Sequence, residues 1–180
     1  MPTEERADYS GVDGENGGVT QDPMPLHYTE YDTRLASYAV ITHRTDDGTA
    51  EVLLALWNEP SQKRWTLPGG GTDLDETPEE GCVREVKEEI GYDVVLTGLL
   101  GVETDVIAAD HRLHGAARPL KAVRIFYAAR IVGGELACES DGTTDEARWH
   151  PLGEVADLPH VSMVATGLGL AESAGLLSPR

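Results

Sequence analysis

Basic residues are scarce in this sequence. Its 180 residues hold 14 Lys and Arg against 32 Asp and Glu, a net charge of −18. A general nucleic-acid binder needs a basic footprint, so that class is excluded. Cysteine is also rare. Cys82 and Cys138 lie far apart, without the C-x-x-C spacing of a metal site, and read as small buried thiols. No apolar run is long enough to span a bilayer. The first residues lack the basic-then-apolar order of a secretory signal, which sets a cytoplasmic location as the expectation. No internal repeat is visible. The apolar and charged fractions, 40% and 26%, are those of a globular protein, and the length suffices for one domain with a hydrophobic core. The acidity sets a condition on any phosphate chemistry. Such a chain needs metal cations to hold a polyanion, and clustered carboxylates to hold the cations.

Residues 1–26 read as a disordered acidic N-terminal tail, because Ser10 to Gly18 is rich in Gly and acid with no apolar period. Residues 27–180 form the expected domain. Leu35 to Thr42 reads as a strand, Thr45 to Thr49 as a turn, and Glu51 to Trp57 as a second strand that pairs with the first. Trp65 to Leu67 is a short apolar piece ended by Pro68-Gly-Gly-Gly71. Further strand material lies at Asp93–Gly101, Val102–Ala109, Lys121–Val132 and Ala147–His150, with loops at Asp110–Leu120 and Glu139–Glu146. A last helical stretch covers Ser162–Leu177. Strands with one strong central helix and one terminal helix, in no regular alternation, give an α/β fold: a mixed β-sheet packed between helices.

The central helix is the best defined element. Thr77 is a natural N-cap, Pro78 suits the first helical position, Glu80 completes a capping box and Gly91 is a C-terminal stop. At about 100° per residue, Val83, Val86 and Ile90 form the core stripe, with Cys82 at its border. Glu79, Glu80, Arg84 and Lys87 fall on a solvent-like arc. Glu85, Glu88 and Glu89 fall together on a third. Carboxylates at such spacings repel one another, so stability alone does not select them. The plain alternative is a solvated acidic face. A hard divalent cation reverses the cost, since Mg²⁺ prefers carboxylate and water oxygens and shares them with substrate phosphates. The glycines before the helix let backbone approach a ligand closely, and a carbonyl at Gly69 or Gly70 could add an oxygen. Alone, that run reads as an ordinary loop.

Together these residues fit a known pattern. Gly70, five residues, Glu76, seven residues, then Arg84-Glu-Val-Lys-Glu-Glu-Ile-Gly-Tyr92 resembles the Nudix box, G-x5-E-x7-R-E-U-x-E-E-x-G-U. Trp65 to Gly70 looks like its usual lead-in. Tyr92 replaces an aliphatic residue and Asp75 stands where Gly is common; neither removes a ligand. The resemblance implies a Nudix-type α/β/α sandwich and a pyrophosphohydrolase acting on phosphoric anhydrides. It implies Mg²⁺, or Mn²⁺, held by Glu85, Glu88 and Glu89 with Gly69 and Gly70. Arg84 would pair with Glu85 and orient it, and Glu76 would fasten the loop to the helix or reach a metal through water. The base would be Glu85 or a carboxylate outside the box.

The remaining candidates are weaker. Arg112, Arg118 and Lys121, with His111 and His114, make the densest basic segment, either a substrate-binding loop or plain surface. Trp57 is a candidate for stacking on a base. Glu139, Asp145 and Glu146, with Asp141, offer a possible second-loop acid. The expected partner is a small-molecule nucleotide: a nucleoside triphosphate, a nucleotide sugar or ADP-ribose. Two other classes compete: a nucleotide-binding regulator of the same fold without turnover, and a prenyl diphosphate isomerase. The intact box and the absence of a basic helix-turn-helix favour the hydrolase.

Overall fold

The computed structural model describes residues 26–58, 62–112, 116–138 and 143–177. The expected acidic tail thus lies outside the described residues, apart from Leu26. Strands β1 (Asp32–Arg44), β2 (Ala50–Trp57), β3 (Arg64–Thr66) and β4 (Gly69–Gly71) precede helix α1 (Pro78–Ile90). Strands β5 (Tyr92–Ile107), β6 (Leu120–Gly134) and β7 (Thr144–Pro151) follow, then helix α2 (Ser162–Ser173). Short 3₁₀ turns at Ala109–His111 and Leu152–Asp157 were not expected from the sequence.

The strands run β3-β2-β1-β6-β5, with β4 on β1 and β7 on β2. β1 and β6 are parallel and the other pairs antiparallel, so the sheet is mixed. β1 and β2 pair as expected, Thr42 facing Val52. Alternation along β1 and β2 explains the layering. Ala39, Ile41, Leu53 and Ala55 pack with Cys82, Val86 and Ile90 of α1. Ala36, Tyr38, Val40, Val52 and Leu54 pack on the opposite face with Trp65, Leu67, Phe126 and the α2 residues Met163 and Val164. Each helix covers one face of the sheet, which is the α/β/α arrangement. No helix among the described residues is long and apolar enough to cross a membrane.

Several expectations are corrected. The two strand pieces after α1 are one strand, β5, kept continuous past register shifts at Asp93/Val94, Leu96/Gly98 and Leu99/Gly101. The Pro-Gly-Gly-Gly run is not a loop. Gly69 to Gly71 form β4, paired with Tyr38 to Ala36. β7 starts at Thr144, three residues before the expected strand, because Trp57 and Leu56 of β2 offer pairing partners there. Asp145 and Glu146 are therefore strand residues. On α1, Cys82 is fully buried and Val83 only half-buried, the reverse of the expected border. Burial pushes the Cys82 thiol up to about 12, which makes it inert. Cys138 is half-buried.

Candidate active site

The site forms where α1 lies against β4. Its helix begins as the sequence predicts. The Thr77 hydroxyl accepts from the Glu80 N–H at 3.2 Å, and the Thr77 N–H donates to Glu80 Oε2 at 2.8 Å. Gly91 closes the helix in the left-handed conformation, φ 77°. Cys82, Val86 and Ile90 fix the helix rotation by their burial. That rotation turns Glu85 and Glu89 toward the glycine strand.

Glu85 reaches Gly70 so closely that a Cβ there would stand 2.4 Å from Glu85 Oε2. Only bare backbone allows the approach. Gly69 has φ 133°, and a Cβ on it would meet the Ser37 carbonyl at 2.2 Å. The Gly69 N–H donates to Glu89 Oε2 at 3.0 Å, and Thr144 of β7 donates its hydroxyl to Glu89 Oε1 at 3.3 Å. Glu89 is thereby tied to both β4 and β7. Nothing in the sequence singled out Thr144.

Arg84 organises the remaining acids. Its Nε donates to Glu76 Oε1 at 2.5 Å and its Nη2 to Glu76 Oε2 at 2.8 Å. Nη1 donates to Glu85 Oε1 at 3.0 Å and Glu88 Oε2 at 2.9 Å, and Nη2 to the Gly71 carbonyl at 2.9 Å. So Arg84 does not belong to a solvent arc. It pairs with Glu85 as expected, and more extensively with Glu76, which does fasten the loop to the helix. The Arg84 guanidinium, then the Asp73 N–H, hold the Glu76 carboxyl down to about 2. Burial pushes the Glu85 carboxyl the other way, upward, against the pull of Arg84.

The donors here are carboxylate and backbone oxygens, the set a hard divalent cation prefers. Among the described residues no three His, Cys, Asp or Glu side chains converge on one point. Glu85 and Glu88 each bond Arg84 through a single oxygen. The donor chemistry and the Gly70 cradle fit such an ion.

The outlying candidates are placed less favourably. Arg112 donates to Asp32 Oδ2 at 2.5 Å and to the Arg118 carbonyl at 2.9 Å, and Arg118 donates to the Thr29 carbonyl at 3.1 Å. Both arginines pin the start of β1. Lys121 sits four residues along β6 from Ile125, the neighbour of Ser37, roughly 13 Å of strand from the level of Gly70. Trp57 ends β2 opposite Thr144, beside the residue that touches Glu89. Asp145 accepts from Asn58 at 2.7 Å and pairs with Lys63. Glu146 pairs with Arg148. Glu139, Asp141 and His114 lie outside the described residues.

Relatives agree with this picture. An RNA pyrophosphohydrolase of Marinomonas sp. (strain MWYL1) is 32% identical over 114 residues, 56% of this chain and 71% of the relative. An ADP-ribose pyrophosphatase of Methanocaldococcus jannaschii is 34% identical over 95 residues, 53% of this chain. The chain spans only 52% of that relative's length. Among solved structures, a NUDIX hydrolase from Nitrosomonas europaea superposes with a TM-score of 0.65 at 20% identity, over 82% of this chain and 93% of its own. The NUDIX domain of Shewanella oneidensis NrtR, complexed with ADP ribose, gives 0.61 at 20% identity, over 86% and 94%. At such identities the two structures establish the fold. The model of the NUDIX domain matches residues 33–165, from the start of β1 into α2. That span takes in every element that shapes the site, and the chain belongs to the Nudix family.

Proposed function

We propose that this protein hydrolyses the diphosphate linkage of a nucleoside diphosphate derivative with the help of a divalent metal ion, Mg²⁺ or Mn²⁺. One observation carries the reading: Glu85 and Glu89 of α1 turn onto β4, Glu85 seated against bare backbone at Gly70 and Glu89 accepting from the Gly69 N–H, with Glu88 sharing an Arg84 nitrogen with Glu85. Helical period alone makes three such carboxylates a cost, which Arg84 offsets in part. The two relatives, an ADP-ribose pyrophosphatase and an RNA pyrophosphohydrolase, are both named for cleavage of a diphosphate, which supports the reaction class.

In this reading Glu85, Glu88 and Glu89 hold the ion, with backbone oxygen from Gly69 or Gly70. A bound divalent ion would supply charge neutralisation on the diphosphate and a water of lowered pKa. Arg84 positions Glu85 and Glu88 through one guanidinium nitrogen and locks the loop through Glu76. Thr144 and the Gly69 N–H orient Glu89. Glu85 serves as the base in this reading, being the carboxylate seated at Gly70, while the described second-loop acids Asp145 and Glu146 pair with Lys63 and Arg148. Substrates of the proposed class are nucleoside triphosphates, nucleotide sugars and ADP-ribose. We place the functional domain at residues 27–180, in the cytoplasm, with residues 1–26 dispensable.

The test is a product-release screen over these compounds with Mg²⁺, repeated in excess chelator. Turnover that stops with chelator supports the reading. Tight nucleotide binding with no turnover of any compound favours a regulator, and full turnover in chelator rejects the metal.

A further inference from the structure

We propose that Arg34 is a substrate-binding residue that grips a phosphate of the diphosphate from the β1 side of the glycine strand. The inference rests on the hydrolase reading above and deepens it at one residue. Arg34 stands on β1 two residues before Ala36, the partner of Gly71. Arg34 is exposed, and its guanidinium lies beside β4. Nη2 and Nε come within 3.8 and 4.0 Å of where a Cβ on Gly71 would sit. The Gly71 carbonyl is the one that Arg84 holds, so the two cations flank a single residue.

Arg34 combines its place beside the glycine strand with the lack of a carboxylate partner. Arg84 is matched with Glu76, Glu85 and Glu88, Arg112 with Asp32, Arg124 with Glu103, and Lys63 with Asp145. Among the described residues no carboxylate lies within ion-pair distance of Arg34. In a chain with 32 acids and 14 cations, an arginine beside the acidic site and unmatched by an acid is available to an incoming anion. Its planar fork suits phosphate oxygens, which accept two parallel N–H bonds. Arg112 and Arg118, candidates for this task in the sequence, spend donors on residues 29–32 and on their own loop. A grip on either phosphate of the cleaved linkage holds both the ground state and the transition state, so its loss weakens binding and lowers kcat/KM.

The experiment compares wild type, Arg34→Gln and Arg34→Lys in two measurements. One is equilibrium binding of α,β-methylene-ADP, a diphosphate that is not cleaved. The other is steady-state turnover of the best substrate from the screen. R34Q should weaken binding and raise KM by roughly ten- to a hundredfold, with kcat/KM falling at least as far. R34K should fall between, since it restores the charge without the fork. R34Q that binds and turns over like an active wild type overturns this inference alone. So does an equal fall in kcat for both variants with binding unchanged. A wild type that neither binds nor cleaves any diphosphate overturns the hydrolase reading, and the role of Arg34 with it.

Discussion

Arg84 and Glu76 are joined by two parallel bonds across eight residues, Nε to Oε1 at 2.5 Å and Nη2 to Oε2 at 2.8 Å. The same guanidinium turns its remaining nitrogen to Glu85 and Glu88. A planar, forked cation is needed to serve both sides at once. Arg84→Lys keeps the charge and loses the fork. We expect it to cost about 1–2 kcal/mol, the lower part of the range for charged hydrogen bonds because Arg84 is partly exposed. We expect turnover to fall at least about tenfold, since each tenfold needs only about 1.4 kcal/mol of lost positioning. Urea unfolding and initial rates measure the two. Wild-type values in both would remove Arg84 from the positioning role.

The Glu76 pair also predicts acid behaviour. The folded-state pKa of Glu76 is about 2, below its ordinary value of 4.5. The unfolded chain therefore takes up this proton first, and the group stabilises the fold above about 4.5. That contribution fades as pH falls from 4.5 through about 2. Glu76→Gln should accordingly lose less stability than wild type over that window. Thermal midpoints across the pH series test this; parallel curves for the two proteins would contradict it.

Two adjacent glycines separate folding from chemistry. A Cβ at Gly69 would strike the Ser37 carbonyl and would sit at φ 133°, so both sterics and backbone oppose it. Gly69→Ala should destabilise by roughly 1–3 kcal/mol or more. A Cβ at Gly70 would strike the end of the Glu85 side chain, which can swing away. Gly70→Ala should cost less stability than Gly69→Ala, and still lose most of its turnover because Glu85 is displaced. Melting and kinetic measurements on the pair decide it. Equal effects of the two substitutions on stability would argue against the placement of Glu85.

The central helix was legible in the sequence almost to the residue, because its signals are local. Thr77, Pro78, Glu80 and Gly91 act through bonds within the helix or its cap. The grouping of Glu85, Glu88 and Glu89 follows from helical period alone. What was not legible depends on partners distant in sequence. Arg84 looked like a solvent residue until the loop brought Glu76 and Gly71 onto it. Three glycines carry no strand signal, and β4 exists only because Ala36 to Tyr38 pair with it. Thr144 gains its place from the extension of β7 along β2. Arg112 and Arg118 looked available because nothing local reveals that Asp32 and the Thr29 carbonyl lie beside them.

The most direct measurement opposes residues of one type on one helix. Glu88→Gln and Glu89→Gln each keep size and remove charge. The helical wheel alone predicts that this relieves repulsion. The structure sets Arg84 against Glu88 at 2.9 Å, so Glu88→Gln instead gives up an exposed i,i+4 pair, worth about 0.3–0.5 kcal/mol. Folding is thus nearly unaffected, and the rate isolates the chemistry. Glu79 is exposed in the first turn of the same helix and borders the Tyr127 hydroxyl. Turnover with Mg²⁺ is measured for all three variants. The account predicts a fall of at least about a hundredfold for the first two, roughly 2.7 kcal/mol of barrier, and wild-type turnover for Glu79→Gln. Equal activity of Glu88→Gln, Glu89→Gln and Glu79→Gln would contradict the assignment of this helix as the metal-binding face.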